Sequence, residues 1–131
     1  ILAGQLAAAN KPYGTRILAT EAVAQAVINE VKARRLDVVR LEGRRETFPV
    51  HELIGALQAL PEERRHSLEF YEAGIACYQK REWLAAARHF EAALALHADD
   101  RPAKIYHERC ALFLDVPPGD DWDGVATVSV R

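Results

Sequence analysis

The chain has 131 residues and a formal net charge of −2, with 50% apolar and 27% charged residues. That balance suits one ordinary globular domain or two small ones. It excludes a broad basic footprint for nucleic acid or an anionic membrane surface, and no apolar run approaches the roughly 18 residues that span a bilayer.

Ile1 to Asn10 is rich in Ala and Leu with no breaker after Gly4, which predicts the end of a helix. Asn10-Lys11-Pro12-Tyr13-Gly14 stops it, because Asn accepts the left-handed cap and Pro12 cannot continue a helix. Arg16-Ile17-Leu18-Ala19 reads as a short buried strand. Thr20 can cap a new helix, with Glu21 favourably placed at the positive end of its dipole. Val23, Val27, Ile28 and Val31 are expected on its inner face. Leu36, Val38, Val39 and Leu41 turn the pattern β-like. Glu42-Gly43-Arg44-Arg45-Glu46 is a turn, with Gly43 able to take positive φ, and Phe48, Val50, Glu52, Leu53 and Ile54 form the return strand.

Gly55 to Pro61 reads as a linker, and Pro61 with Glu62 and Glu63 opens a helix. Leu68, Tyr71, Ile75 and Tyr78 recur at helical spacing, with Phe70, Gly74 and Cys77 as an adjacent stripe. A polar break at Gln79-Lys80-Arg81-Glu82 precedes a second helical pattern through Trp83, Ala87, Phe90 and Leu94, flanked by Ala86 and Ala93. Small residues let two helix backbones approach closely while aromatics fill the surrounding gaps. This antiparallel hairpin resembles one tetratricopeptide repeat. Gly74, Tyr78, Ala86, Phe90 and Ala93 stand where that family's Gly, aromatic, Ala, aromatic and Ala recur in a unit of about 34 residues, while Ala98 replaces its terminal Pro. Arg101-Pro102 opens a third helix carrying Ile105, Tyr106, Cys110 and Phe113, expected to cap the hairpin. From Asp115 the chain is expected to be mostly extended, with Trp122 tucked onto the helices. Val125, Val128 and Val130 alternate, which suits an edge strand or a frayed end.

The first part carries a second resemblance. Ala9-Asn10-Lys11-Pro12-Tyr13-Gly14-Thr15-Arg16-Ile17-Leu18 is similar to the closing segment of class III adenylate and guanylate cyclase catalytic domains. Val39-Arg40-Leu41-Glu42-Gly43-Arg44 with Phe48-Pro49-Val50-His51-Glu52-Leu53 is similar to that family's last hairpin. Tyr71-Glu72-Ala73-Gly74, Trp83-Leu84-Ala85-Ala86, Arg109-Cys110, Pro117-Pro118 and Asp121-Trp122-Asp123-Gly124 resemble the region that follows the catalytic domain in many bacterial members, which are often membrane-anchored. The resemblance implies an α+β fold. A partial ferredoxin-like, cyclase-type sheet (helix, strand, helix, β-hairpin) would occupy residues 1–56. A tetratricopeptide-like hairpin with a capping helix would occupy 57–115, and an extended tail 116–131. A chain without methionine that opens on Ile1 is expected to be a piece of a longer one.

The resemblance also sets expectations for chemistry. The parent would convert ATP or GTP to a cyclic nucleotide using Mg or Mn held by two aspartates, none of which falls within these residues. The family's transition-state Asn and Arg align with Ile1, which cannot donate from its side chain, and Gln5, which is neutral. No catalytic residue, metal ligand or cofactor is therefore expected in this chain, which should be inactive alone. Arg44 stands where the family presents a Lys to the triphosphate, and a guanidinium can clamp phosphate; a solvated turn is the plainer reading. The resemblance places the chain in the cytoplasm, and a homodimer or a protein partner is expected. The alternative is a protein–protein interaction module whose groove is lined by Phe70 and Cys77.

Other motifs are weaker. Asp121-Trp122-Asp123-Gly124 fails as a calcium loop, because Gly119 and Val130 occupy its first and last ligand positions. His89, His97 and His107 lack zinc-site spacing. Ser67 and Ser129 have no base and orienting group nearby in sequence. Cys77 and Cys110 are expected as reduced, half-buried thiols, with a disulfide left open. Lys32, Arg34, Arg35, Arg40, Arg44 and Arg45 are basic without interleaved aromatics, so they read as a solvated face rather than a nucleic-acid site.

Overall fold

A computed structural model describes residues 18–43 and 45–128 of the chain. The helix end expected at 1–10, the first half of the expected strand at Arg16-Ile17, and Arg44, Ser129 and Val130 lie outside those residues. The architecture is α+β and divides into two compact units. One holds the strands, running to Ala59 and resuming at Asp123; the other is Leu60–Trp122.

The sheet unit starts with β1 (Leu18–Ala19) and α1 (Glu21–Ala26). Thr20 is extended and its Oγ1 accepts from the Val23 amide at 3.4 Å, satisfying one of the first-turn donors. The helix is shorter than the valine spacing predicts. It stops at Ala26, Ala24 is its buried residue, and Val23 and Ile28 are 46% and 55% exposed. Val27 and Ile28 are β-branched and lose side-chain freedom in a helix. The Val27 carbonyl instead accepts from the amides of Glu30 and Val31, both at 2.9 Å, closing a turn that launches β2.

β2 (Val31–Leu41) and β3 (Thr47–Ala56) form an antiparallel hairpin, longer than the short strands expected from the apolar pattern. Gly43 takes φ +84 in the turn, a conformation that costs glycine least. Two register shifts interrupt the ladder. Arg35 faces His51 and Asp37 faces Val50, so Leu36 is the extra residue; Ala33 faces Leu53 and Lys32 faces Gly55, so Ile54 is extra on the other strand. The first bulge buries Leu36 and Asp37 together with Val39 and Val50. Pro49 lies beyond the part of β3 that β1 pairs, where a missing amide disturbs no ladder on that side. The chain returns as β4 (Val125–Val128), parallel to β2, giving the order β1-β3-β2-β4. The alternating valines thus include an edge strand.

A 3-10 turn (Leu57–Ala59) follows β3, and the helical unit holds α2 (Glu62–Gln79), α3 (Trp83–Leu96) and α4 (Arg101–Asp115). α2 buries Ser67, Leu68, Tyr71, Gly74 and Tyr78. Gly74 therefore belongs to the inner face rather than to a neighbouring stripe with Phe70, which is 39% exposed, and Ile75 is only half-buried. The reason is contact with α3: a Cβ on Gly74 would stand 2.7 Å from the Phe90 ring. That ring stacks on Tyr106 at 5.3 Å between centroids and meets the edge of Tyr71 at 5.8 Å. Ala86, Ala87 and Ala93 of α3 are buried beside it, and Ala103, Tyr106 and Cys110 of α4 complete the core. Trp122 packs on the same cluster, against Tyr78, Trp83 and Phe113.

Candidate functional site

The expected phosphate contact, Arg44, lies outside the described residues, as do Ile1 and Gln5. Its turn is defined by its neighbours. Arg40 donates from Nε to the Arg45 carbonyl at 3.5 Å and from Nη2 to Asp123 Oδ2 at 3.2 Å. The guanidinium of Arg40 is thus committed to holding the segment that enters β4. Arg45 is exposed beside the turn.

The basic cluster does not form one solvated face, because strand geometry sends neighbours to opposite sides. Arg34 is 3% exposed and pairs in register with Glu52, Nη2 to Oε1 at 2.7 Å and Nε to Oε1 at 2.9 Å. This corrects its reading as a solvated residue. A guanidinium so buried needs a carboxylate partner. Arg35 instead approaches Glu21 of α1 at 3.7 Å, with both side chains substantially exposed. Next to it in the ladder is His51, flanked by Ala19 on β1 and Arg35 on β2. His51 Nε2 is buried without a hydrogen-bond partner. Burial, and then the charge of Arg35, hold this imidazole below its ordinary value of 6.5, while Glu21 opposes them. It is a neutral histidine whose proton would be costly to add.

On the helical unit, Phe70 and Cys77 lie two turns apart on α2, the first exposed and the second half-buried against the core. Burial, reinforced by the charge and a hydrogen bond of Glu82, raises the Cys77 thiol above its usual value. Burial pushes Cys110 up to about 11. Both are free thiols, and neither is a poised nucleophile. Ser67 is buried and donates to the Ala93 carbonyl at 3.2 Å. Its other neighbour is Arg64 at 3.5 Å, which also reaches the buried Asp100 at 3.4 Å. That set ties the start of α2 to the turn before α4 and lacks a base for hydroxyl activation.

His107 bonds Glu91 at 3.0 Å, while Asp123 bonds Arg40. Among the described residues no three of His, Cys, Asp and Glu are grouped so as to hold a metal ion, and no helix is long and apolar enough to cross a membrane.

One residue with a distinct role carried no signal in sequence. Arg81, in the α2–α3 break, takes φ 64 without being glycine. Its Nη1 and Nη2 donate to the carbonyls of Gly119 and Pro118 at 3.1 and 2.5 Å, and its guanidinium lies 5.7 Å from the Trp122 ring centre. An exposed Arg in a polar break is ordinary, and nothing local distinguishes this one. The chain matches no protein-family profile, no curated protein and no solved structure.

Proposed function

We propose that residues 1–131 are the C-terminal region of a class III nucleotide cyclase-like signalling protein. Its sheet unit would be the end of a ferredoxin-like catalytic fold, and its helical unit a tetratricopeptide-like appendage. The observation that carries this reading is the order of strand, capped helix and antiparallel hairpin closing on Gly43. The second cyclase-like block falls on this hairpin, and Leu18, the last residue of the first block, opens β1; both support the reading. The close approach of α2 and α3 at Gly74 and Phe90 supports the tetratricopeptide part.

In this reading Arg44 contacts the triphosphate of ATP or GTP from the hairpin turn. Gly43 shapes that turn, and Arg40 braces its far side through the Arg45 carbonyl. Mg or Mn, which would be held by the parent's aspartates, would supply activation of the 3′ hydroxyl and neutralise phosphate charge. Ile1 and Gln5 supply no charged donor for the transition state. Chain 1–131, incubated with ATP or GTP and Mn²⁺ and assayed by chromatography, should form no cyclic nucleotide. Formation of either product would overturn the proposal that the metal ligands lie outside it.

A second reading, of the helical unit as an interaction module in a homodimer or with a protein partner, is favoured by Phe70, a large apolar side chain 39% exposed on α2. Sedimentation equilibrium of the chain and of Phe70→Ala tests it. Self-association weakened about tenfold with unchanged helicity supports the reading; an unchanged constant removes Phe70 from the contact.

A further inference from the structure

The segment Pro117–Trp122 lies against the helices as a peptide lies on a receptor, and it and the groups that grip it all belong to the helical unit. Arg81 donates from Nη1 to the Gly119 carbonyl and from Nη2 to the Pro118 carbonyl, at 3.1 and 2.5 Å. One guanidinium on two successive carbonyls reads the backbone of a chain and is indifferent to its side chains. Beyond them the Trp122 ring meets Tyr78, Trp83 and Phe113 at 5.4, 5.3 and 5.8 Å. Those rings come from α2, α3 and α4 and already pack on one another, Trp83 on Phe113 at 4.8 Å and Tyr78 on Trp83 at 5.4 Å. The helices build this aromatic platform, and Trp122 is its occupant.

The segment's shape is its own. Pro117 and Pro118 have fixed φ and no amide N–H, which favours an extended chain. The Trp122 amide then closes a turn on the Gly119 carbonyl at 3.1 Å, and a Cβ on Gly119 would stand 2.9 Å from Asp121 Oδ1. A segment preformed in this way loses little freedom on docking. Its hold is thin: apart from Pro118, every residue from Val116 to Asp121 is exposed, which places it at the low-stability end of the unit. The clamp, by contrast, is strained. Arg81 takes φ 64, a conformation that glycine adopts more easily. A break between helices needs only glycine there; the guanidinium serves what it grips.

We infer that Arg81, Tyr78, Trp83 and Phe113 form a peptide-recognition site whose ligand is a segment of another protein with the chemistry of Pro117–Trp122: proline-led, extended, and turning into a tryptophan. The chain's own segment is the competing stand-in that fills the site until such a partner displaces it. This inference stands whether or not the cyclase reading does.

A synthetic peptide with the sequence of Val116–Asp123, titrated by calorimetry into the whole chain, tests it. The Trp122→Ala chain, with its platform vacated, binds the peptide saturably. The unaltered chain binds it about tenfold or more weakly, because its own segment competes at millimolar effective concentration. Alanine in place of the peptide's tryptophan lowers the affinity about tenfold or more. Arg81→Gly in the Trp122→Ala chain does the same with helicity unchanged. Absence of saturable binding to the Trp122→Ala chain, or equal affinity for the two chains, overturns the inference. If Trp122→Ala loses its helicity, the heteronuclear spectrum of the isotope-labelled, unaltered chain decides: excess peptide moves the Trp122 indole signal, and an unmoved signal overturns the inference. Self-association of the unaltered chain that Trp122→Ala abolishes would make a second copy the occupant, and would overturn the assignment to a separate partner.

Discussion

Gly74→Ala should destabilise the helical unit although alanine is the better helix former. In an open helix the change gains about 1 kcal/mol. Here the new methyl would stand 2.7 Å from two carbons of the Phe90 ring and 3.0 Å from a third. The ring is restrained on two sides: it is stacked on Tyr106 with an interplanar angle of 17° and met at its edge by Tyr71. Overpacking of such a site costs roughly 1–3 kcal/mol, so the net loss should be up to about 2 kcal/mol once the propensity gain is subtracted. Phe90→Leu removes the two closest carbons. In that background Gly74→Ala should become neutral or stabilising by up to about 1 kcal/mol, a coupling of about 1–3 kcal/mol in the double-mutant cycle. Urea unfolding followed by circular dichroism at the helical band measures all four proteins. Stabilisation by Gly74→Ala in the unaltered background, or absence of coupling to Phe90, would refute the close-approach account.

Three further predictions concern the charged and nucleophilic groups. Glu52→Ala removes the carboxylate that the buried Arg34 bonds across the hairpin and should cost up to about 3–5 kcal/mol, whereas Arg34→Met with Glu52→Leu should recover most of that; urea midpoints of the sheet distinguish the two. The folded His51 imidazole accepts a proton at lower pH than the unfolded one. Its contribution is therefore intact above pH 6.5 and declines as the pH falls below that value towards the folded-state pKa. His51→Gln should flatten the fall in urea midpoint between about pH 7 and 5, and an unchanged slope would assign it to other groups. Cys110, held near pKa 11 against an ordinary 9.0, carries about a hundredfold less thiolate at pH 8 than an unperturbed thiol. Mass spectrometry after brief iodoacetamide treatment should find Cys77 modified first and Cys110 only on unfolding.

The helical unit was largely legible because its signals are local. Pro61, Trp83 and Arg101-Pro102 mark the three helix starts, and the small residues opposite Phe90 follow helical spacing. The sheet was less so. Arg34 reads as solvated because its partner lies 18 residues away across a turn, and a bulge at Leu36 shifts the register beyond it. Val23 and Ile28 imitate a helix face, yet the turn at Val27 wins because β-branched residues resist a helix that nothing else extends. Arg81 was illegible, since its role depends on carbonyls more than thirty residues away, at separations of 37 and 38. The residues bearing on nucleotide chemistry, Ile1, Gln5 and Arg44, rest on sequence resemblance alone.

The cyclase reading is tested most directly by restoring what the alignment says is missing. Ile1→Asn with Gln5→Arg, made in the whole gene product that contains these residues, should raise Mn²⁺-dependent formation of cyclic AMP or cyclic GMP by about a hundredfold or more. Arg44→Ala in that restored protein should then raise the KM for the triphosphate. No gain from the double substitution, together with no detectable binding of Mn–ATP or Mn–GTP by calorimetry, would contradict the account.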